Sequence, residues 1–565
     1  MIAELPPGSI LILGAFLIPL LSGRPQSLYL LLLPVLSFIQ LLVLPADLQW
    51  RLSFLGYELM PVRLDRLSLV FGYIFHIATL ISVIYSLHVR DTVQQATGLI
   101  YAGSAIGAVF AGDLITLFVY WELTALSSVF LIWSRRTARA RQAGLRYLVI
   151  QIVSGLLLLL GTLVHLQGTG SLAFGHLGLD SPGGVLIFLA FGIKCAFPLL
   201  HNWLQDAYPE ATITGTVFLS VFTTKLAVYA LARSYAGTEI LIPIGVVMTL
   251  FPILYAVIED DLRRVLSYSL NNQLGFMVVG VGVGTELALN GTVSHAFAHI
   301  LYKALLFMSM GALLLQAGTV KASELGGAWR SMPITAFFCL IGAVSISAFP
   351  LFSGFVTKSL TMSAVAGENH QIAFFALLFA SAGVMHHSGI KIPFCGFFSP
   401  GTGRPVQCGE PPLNMLVAMG TTALLCLAIG VHPQSLYQLL PYPVDYQPYT
   451  SSHVINQLQL LIFALLAFAW LERRRLEPPA LPGINLDTDW TYRRLLPLVV
   501  RKLMTVGAPI DNAIRRGASG HVRMIIRELS RHHEPHGLLA RVWPTGSMVL
   551  WVAILLGAYL LAYLL

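Results

Sequence analysis

Three ionisable residues recur at every fourth position in the apolar stretch Ser294 to Leu315: His295, His299 and Lys303. That spacing places all three on one helix face. The stretch is long enough to cross a bilayer. Ionisable groups in hydrocarbon are costly, so they face a bundle interior or a water-filled path. Imidazole titrates near neutral pH, and an amine gives up its proton readily once desolvated. An aligned row of such groups inside a membrane therefore reads as a proton relay. The plainer alternative is a set of polar groups that only pins neighbouring helices, but three aligned groups exceed what packing requires.

Four more charges fall inside apolar stretches: Glu122 in FVYWELTALSSVFLIW, Lys194 in FGIKCAFPLLHNWL, Lys225 in VFTTKLAVYALA and Lys358 in SISAFPLFSGFVTKSL. A carboxylate and two amines in neighbouring spans can pair, which lowers the cost of burying them. If the Glu122–Lys194 pair opens, a proton is pushed onward; a permanent structural ion pair is the alternative. His76 and His165 are solitary and read as packing histidines. His386 and His387 end an apolar segment and read equally as a proton uptake point or as packing groups. The glycines of VVGVGVGT, Val278 to Thr285, follow no strand and are not a dinucleotide fingerprint. In an apolar span they allow close helix packing.

These residues need membrane helices to hold them, and the composition supplies them. Of 565 residues, 56% are hydrophobic and only 11% charged, with mean hydropathy +0.76. That excludes a soluble domain and predicts an all-α polytopic membrane protein of about sixteen spans. The apolar segments lie near 8–22, 27–45, 66–88, 97–111, 114–133, 145–167, 184–204, 213–233, 239–257, 268–284, 290–316, 333–364, 372–388, 413–431, 455–471 and 546–565. A long polar loop, Pro45 to Arg66, separates the second and third. The first segment lacks a basic leader and reads as a retained helix rather than a signal peptide. The five cysteines are scattered without CxxC spacing, which argues against an iron–sulfur site or a disulfide framework. No cofactor and no metal site is expected. The net charge of +8 sits in loops and suits anionic lipid or an acidic partner rather than nucleic acid.

Basic loops set the orientation. Arg135, Arg136, Arg139 and Arg141 follow the fifth segment, and Arg263 and Arg264 the ninth. Lys321 and Arg330 follow the eleventh, and Lys391 and Arg404 the thirteenth. Loops after odd-numbered segments are therefore cytoplasmic and both termini lie outside. The loop after the second segment, with Arg51, Arg63 and Arg66, departs from the rule. The localisation implied is a bacterial plasma membrane.

Segments seven and twelve are interrupted, by Pro198 after Lys194 and by Pro350 before Lys358. Proline frees backbone carbonyls, and breaks at membrane depth are tolerated where they line a cavity. The breaks are five segments apart, an odd number, so equivalent helices run in opposite directions. An inverted repeat follows, segments 4–8 matching 9–13 with broken helices seven and twelve. The domains expected are 1–95 (three N-terminal helices), 96–235 and 236–390 (the two repeats), and 391–471 (helices 14 and 15). They continue with 472–543 (a cytoplasmic Arg-rich amphipathic segment) and 544–565 (the last span).

The motifs YWELTALS at Tyr120, FGIKCAFPLLHNWLQDAYPEAT at Phe191, DDLRRVLSYSLNNQLGF at Asp260, SHAFAHILYKALLFM at Ser294 and FPLFSGFVTKSL at Phe349 span segments 4 to 13. With them the chain resembles the antiporter-like membrane subunits shared by respiratory complex I and the multisubunit Mrp-type Na+/H+ antiporters. GIKIPFCGFF at Gly389, PPLNMLVAMGTTALLCLAIG at Pro411 and NLDTDWTYRR at Asn485 resemble the D-type antiporter subunit in particular. The resemblance implies fourteen core helices and proton movement along a polar axis at mid-membrane. It implies a Glu122–Lys194 pair, a central relay Lys225, relay groups His295, His299 and Lys303, and a terminal Lys358. Asn271-Asn272, the insert Ser399 to Pro412 and the tail Glu472 to Trp543 depart from the family pattern.

The tail is a basic amphipathic helix by pattern. Leu495, Leu496, Val499, Val500, Leu503 and Met504 share one face, opposite Arg493, Arg494, Arg501 and Lys502, and arginines continue to Arg531. It is expected at the cytoplasmic interface or along a partner, with a solvated linker as the alternative. The function implied is a non-enzymatic, proton-translocating subunit in a complex with other membrane subunits. Its coupling is either exchange for Na+ or redox chemistry in a neighbouring subunit. A self-contained transporter or coupling subunit for a small solute such as bicarbonate predicts a dedicated pocket, whereas these charges are strung across many helices. A quinone-reducing enzyme lacks cluster, haem or flavin ligands here.

Overall fold

The computed structural model describes residues 5–45, 47–399, 408–474, 476, 487–533 and 544–564. The chain divides into two units, Met1–Asn485 and Leu486–Leu565. The first unit opens with α1 (Ser9–Ala15) and α2 (Gly23–Val43). The antiparallel hairpin β1 (Gln49–Phe54) and β2 (Tyr57–Arg63) comes next, then α3 (Arg66–Ser86), α4 (Thr92–Phe110), α5 (Leu114–Trp133) and α6 (Ala138–Thr169). Next come α7 (Pro182–Cys195), α8 (Asn202–Ala207), α9 (Ile213–Val221), α10 (Thr223–Ser234), α11 (Leu241–Ile258), α12 (Leu262–Val283) and α13 (Glu286–Ala317). The unit continues with α14 (Pro333–Ile346), α15 (Ser353–Gly367) and α16 (Gln371–Val384). A π-helical stretch, the single turn α17 (Lys391–Pro393) and a second π-helical stretch extend α16 to Phe398. It closes with α18 (Leu413–Val431), α19 (Gln434–Tyr437) and α20 (Ser451–Arg473).

The hairpin adds two strands to an otherwise helical fold, where the sequence pattern marks Pro45 to Arg66 only as a polar loop. Its turn is Leu55-Gly56, both residues at positive φ (50° and 80°). That is the mirror-image turn geometry that matches strand twist, and it favours Gly. The hairpin is tied to the bundle where the Met60 N–H donates to Asp113 Oδ2 at 2.8 Å.

Among the described residues eleven helices have the length and hydropathy to span a membrane, with three shorter apolar ones beside them. Length and composition alone thus fall short of sixteen spans. Two breaks account for part of the difference. The 184–204 segment is α7 plus α8, and 333–364 is α14 plus α15. The 213–233 segment, expected to be continuous, is split into α9 and α10 at Phe222.

Two stretches of the unit recur in detail. Asp113 caps α5 and Asp261 caps α12, each accepting from backbone N–H groups of the first turn. Each aspartate also bridges the segment beyond the next helix, Asp113 to Ala173 and Asp261 to Lys321. The helices between, α6 and α13, both have 32 residues and both end on a left-handed glycine, Gly170 and Gly318. The helices that follow, α7 and α14, both have 14 residues. Each then breaks at the same tetrapeptide, Ala196-Phe197-Pro198-Leu199 and Ala348-Phe349-Pro350-Leu351. The alanines have φ of 62° and 60°, and the leucines 70° and 74°. A left-handed non-glycine residue costs on the order of 1–3 kcal/mol, so its retention at four matched positions marks a backbone fixed by its surroundings.

The α9–α10 span is wholly buried and α13 nearly so, which puts the helices with Lys225, His295, His299 and Lys303 at the centre of the bundle. In the second unit α21 (Leu496–His533) is one 38-residue helix and α22 (Thr545–Leu564) is apolar throughout. The expected amphipathic tail is helical, with Leu496, Val499, Val500, Leu503 and Met504 exposed on one face. Most of the insert Ser399 to Pro412 and the connecting parts of 472–543 lie outside the described residues.

Candidate functional site: a buried polar axis

Helix breaks and small hydroxyl residues hold five of the seven candidate side chains, Lys194, Lys225, His295, Lys303 and Lys358. Lys194 lies in the last turn of α7, just before the Ala196 break, and is fully buried. Its Nζ donates to the Trp121 carbonyl at 2.6 Å and to Thr124 Oγ1 at 2.9 Å, and it lies 4.3 Å from the Trp121 ring centroid. Trp121 is itself held, its Nε1 donating to Ser154 Oγ at 3.0 Å. Lys194 thus makes its direct hydrogen bonds to the backbone and one side chain of α5 rather than to the Glu122 carboxylate. Glu122 is half-buried, its Oε1 has no protein hydrogen-bond partner, and the carboxylate rests on Gly155 of α6. The two charges are still near enough to feel each other's fields.

Lys225 is fully buried one turn after the Phe222 break. The break frees the Ser220 carbonyl, and Lys225 Nζ donates to it at 2.6 Å. The other edge of the break is capped from α4, where Tyr101 Oη accepts from the Thr223 N–H at 3.0 Å. Neither proline nor glycine marks this site, so sequence reading missed it. Tertiary capping by a tyrosine on another helix makes it.

On α13, His295 Nδ1 lies 3.2 Å from Thr357 Oγ1 of α15, and its Nε2 lies 3.4 Å from Tyr302 Oη. Tyr302 in turn donates to Gln273 Oε1 at 3.2 Å. His299 is fully buried, and neither of its ring nitrogens has a protein partner. Its ring lies 6.1 Å from that of His295 and 5.3 Å from that of Tyr302. Lys303 Nζ donates to Ser269 Oγ at 2.8 Å and to the Leu266 carbonyl at 3.3 Å, both on α12. The fields of Lys225, Lys303, His295 and Lys358 all reach His299. Lys358 donates to the Ile346 carbonyl freed by the second break, at 2.8 Å. It also lines a cavity of about 400 Å³, together with Ser359, Ser363, Tyr446, His453 and Gln457.

All four lysines are buried, and each donates to carbonyls or hydroxyls rather than to a carboxylate among the described residues. A buried ammonium without a counter-charge is several kcal/mol from water, so such sites are compatible with a neutral, proton-accepting amine. Other buried polar groups also lack protein partners: both side-chain polar atoms of Gln151, Gln205 and Asn271, and Thr224 Oγ1. Buried polar groups in native proteins are rarely unpaired, and ordered water is the usual partner. Of these only Asn271 stood out in the sequence. Gln151, Gln205 and Thr224 give no signal there beyond being polar residues in apolar spans. By contrast His76 is satisfied at both ring nitrogens, by Ser37 Oγ at 2.9 Å and the Gly72 carbonyl at 2.7 Å, as a packing histidine should be.

Fold and site together define a polytopic membrane protein with titratable groups strung along its interior. The chain belongs to the family described as NADH:quinone oxidoreductase/Mrp antiporter, TM, whose profile matches residues 111–384. It is 32% identical to the D-type subunit of the Na+/H+ antiporter of Alkalihalophilus pseudofirmus, over 59% of this chain and 71% of that protein. It is 27% identical to hydrogenase-4 component B of Escherichia coli, over 66% of this chain and 62% of that protein. The chain thus spans somewhat under two thirds of the hydrogenase component. A chain in the solved Mrp complex from Dietzia sp. shares the fold, with TM-score 0.69 and 20% identity over 79% of this chain and 98% of that one.

Proposed function

We propose that this chain moves protons through the membrane as one subunit of a larger membrane complex. Lys194, Lys225, His295, His299, Lys303 and Lys358 are the carriers. Glu122 modulates Lys194 through its field, and water joins the carriers where hydrogen bonds do not. The observation that carries this reading is the run of buried amines and imidazoles without carboxylate partners, set among buried amides and hydroxyls that protein does not satisfy. A structural role would call for paired charges.

The matched caps, helix lengths and AFPL breaks support an inverted repeat of the stretches around α4–α10 and α11–α16. The breaks at Phe222 and Ala348 present freed carbonyls to Lys225 and Lys358. Sixteen spans with both termini outside, in a bacterial plasma membrane, remain the topology proposed. The tail helix α21 lies against anionic lipid or a partner subunit. The relatives' names include an Na+/H+ antiporter subunit and a hydrogenase component, so coupling is to Na+ exchange or to redox chemistry in a neighbouring subunit. Dependence of proton flux on a Na+ gradient distinguishes them.

The test is proton flux in membrane vesicles bearing the native complex. Glu122→Gln and His299→Gln are each expected to abolish flux while the protein stays in the membrane. Normal flux in both variants overturns the reading.

A further inference from the structure

Beyond Val384 the thirteenth apolar segment widens into a π-helical turn, Met385–Ile390. Such turns insert a residue, re-aim side chains and recur at functional sites. Here the turn directs two consecutive residues, His387 and Ser388, into the protein, where both are fully buried. His387 Nδ1 lies 2.8 Å from Ser388 Oγ. Ser388 Oγ donates to Ser269 Oγ at 2.7 Å, and Ser269 Oγ is the acceptor for Lys303 Nζ at 2.8 Å. Three hydrogen bonds therefore run without a gap from an imidazole to the lysine of the axis, across α12. The other imidazole nitrogen, His387 Nε2, is buried and has no protein partner.

The turn lies at one end of the bundle. One turn further on, Lys391 Nζ donates to the carbonyls of Ala256, Val257 and Glu259 at the end of α11, at 3.2, 2.5 and 2.7 Å. The Glu259–Asp261 loop there leads into Arg263 and Arg264. Half-buried His386 packs its ring 5.3 Å from Phe468 of α20. The charged and titratable groups whose fields reach His387 are Lys303, His386, Lys391 and Lys358.

We propose that His387, Ser388 and Ser269 form a side branch that loads Lys303 with protons from the membrane face carrying the Glu259–Asp261 loop. This rests on the reading of Lys303 as a carrier. One proton binds His387 at Nε2, and the Nδ1 proton passes to Ser388 Oγ. Ser388 hands its own hydroxyl proton to Ser269 Oγ, and Ser269 hands its own to the neutral Lys303 amine. Only O–H and N–H bonds form and break, and the net change is one proton gained by Lys303. Rotation of the two hydroxyls and a tautomer change at His387 reset the path. Hydroxyl groups suit this because each donates and accepts at once. A packing role for the same serines needs neither the unbroken order nor the free Nε2.

Proton flux is measured in vesicles bearing the full chain in its native complex, for Ser388→Ala, Ser269→Ala, Ser388→Thr and Lys303→Ala. The branch predicts at least a tenfold loss in both alanine variants and in Lys303→Ala. It predicts near-normal flux in Ser388→Thr, which keeps the hydroxyl and adds bulk. Loss in Ser388→Thr as well would show that packing rather than the hydroxyl matters, and would overturn the proposal. Normal flux in the two serine-to-alanine variants alongside loss in Lys303→Ala overturns the branch and leaves the axis standing. Normal flux in Lys303→Ala overturns both.

Discussion

Lys225→Met separates a carrier from a structural contact, because the two roles predict opposite effects on stability. Lys225 is fully buried, and its amine donates to the Ser220 carbonyl at 2.6 Å. Keeping an ammonium there costs several kcal/mol after relaxation, and replacing buried charges with apolar side chains of similar size often stabilises by about 1–4 kcal/mol. Against this, the Ser220 carbonyl loses its partner, which costs about 1–3 kcal/mol. The net expectation runs from about 2 kcal/mol of destabilisation to about 3 kcal/mol of stabilisation, centred on slight stabilisation. Proton flux in the same preparation should fall to background. The assay pairs thermal unfolding of the detergent-solubilised complex with flux in vesicles. Normal flux refutes Lys225 as a carrier. Destabilisation by more than about 2 kcal/mol refutes the reasoning that its ammonium is held at a cost.

Gly155→Ala tests Glu122 without altering it. An added Cβ would overlap Glu122 Oε1, so the carboxylate must swing away, whereas the helix itself gains about 1 kcal/mol from the substitution. Flux should drop in a stably folded protein; undiminished flux means that the orientation of Glu122 is immaterial. Ending the chain before Glu472 should release partner subunits during purification more than it slows flux per assembled complex, as co-purification and flux together would read. At the Asp65 cap of α3, burial tends to raise the carboxyl, but the Arg233 hydrogen bond at 2.8 Å and nearby arginine charges outweigh it and hold it below its ordinary value. Its contribution is therefore complete above the ordinary carboxylate range and is lost as pH falls through the lowered value. Asp65→Asn should flatten that acid-side part of the stability profile in thermal unfolding, and an unchanged profile contradicts the assignment.

Chemistry was more legible in the sequence than geometry. Charges inside apolar spans and prolines at Pro198 and Pro350 are local features, and they led to the seven candidate residues and to two of the three breaks. The break at Phe222 depends on Tyr101 reaching from another helix, and no window around Phe222 contains that information. The π-helical turn at Met385 has no composition of its own, so the inward aim of His387 and Ser388 was hidden although both histidines stood out. Glu122 was visible in the sequence as the carboxylate in reach of Lys194, whereas the Trp121 carbonyl that accepts the Lys194 hydrogen bond is a backbone group, which every residue carries, and signals nothing. The β1–β2 hairpin carries Leu rather than Asn or Asp before the turn glycine, which masked it as a loop.

The central claim is a continuous proton path, and the most direct measurement is an experimental structure of the native complex that resolves bound water. The account predicts ordered waters bonded to Gln151, Gln205, Thr224, Asn271 and His299 that join Lys194, Lys225, His295, His299, Lys303 and Lys358 into one line. A dry apolar gap between successive carriers, longer than a chain of about four waters could cross by hydrogen bonds, would contradict it.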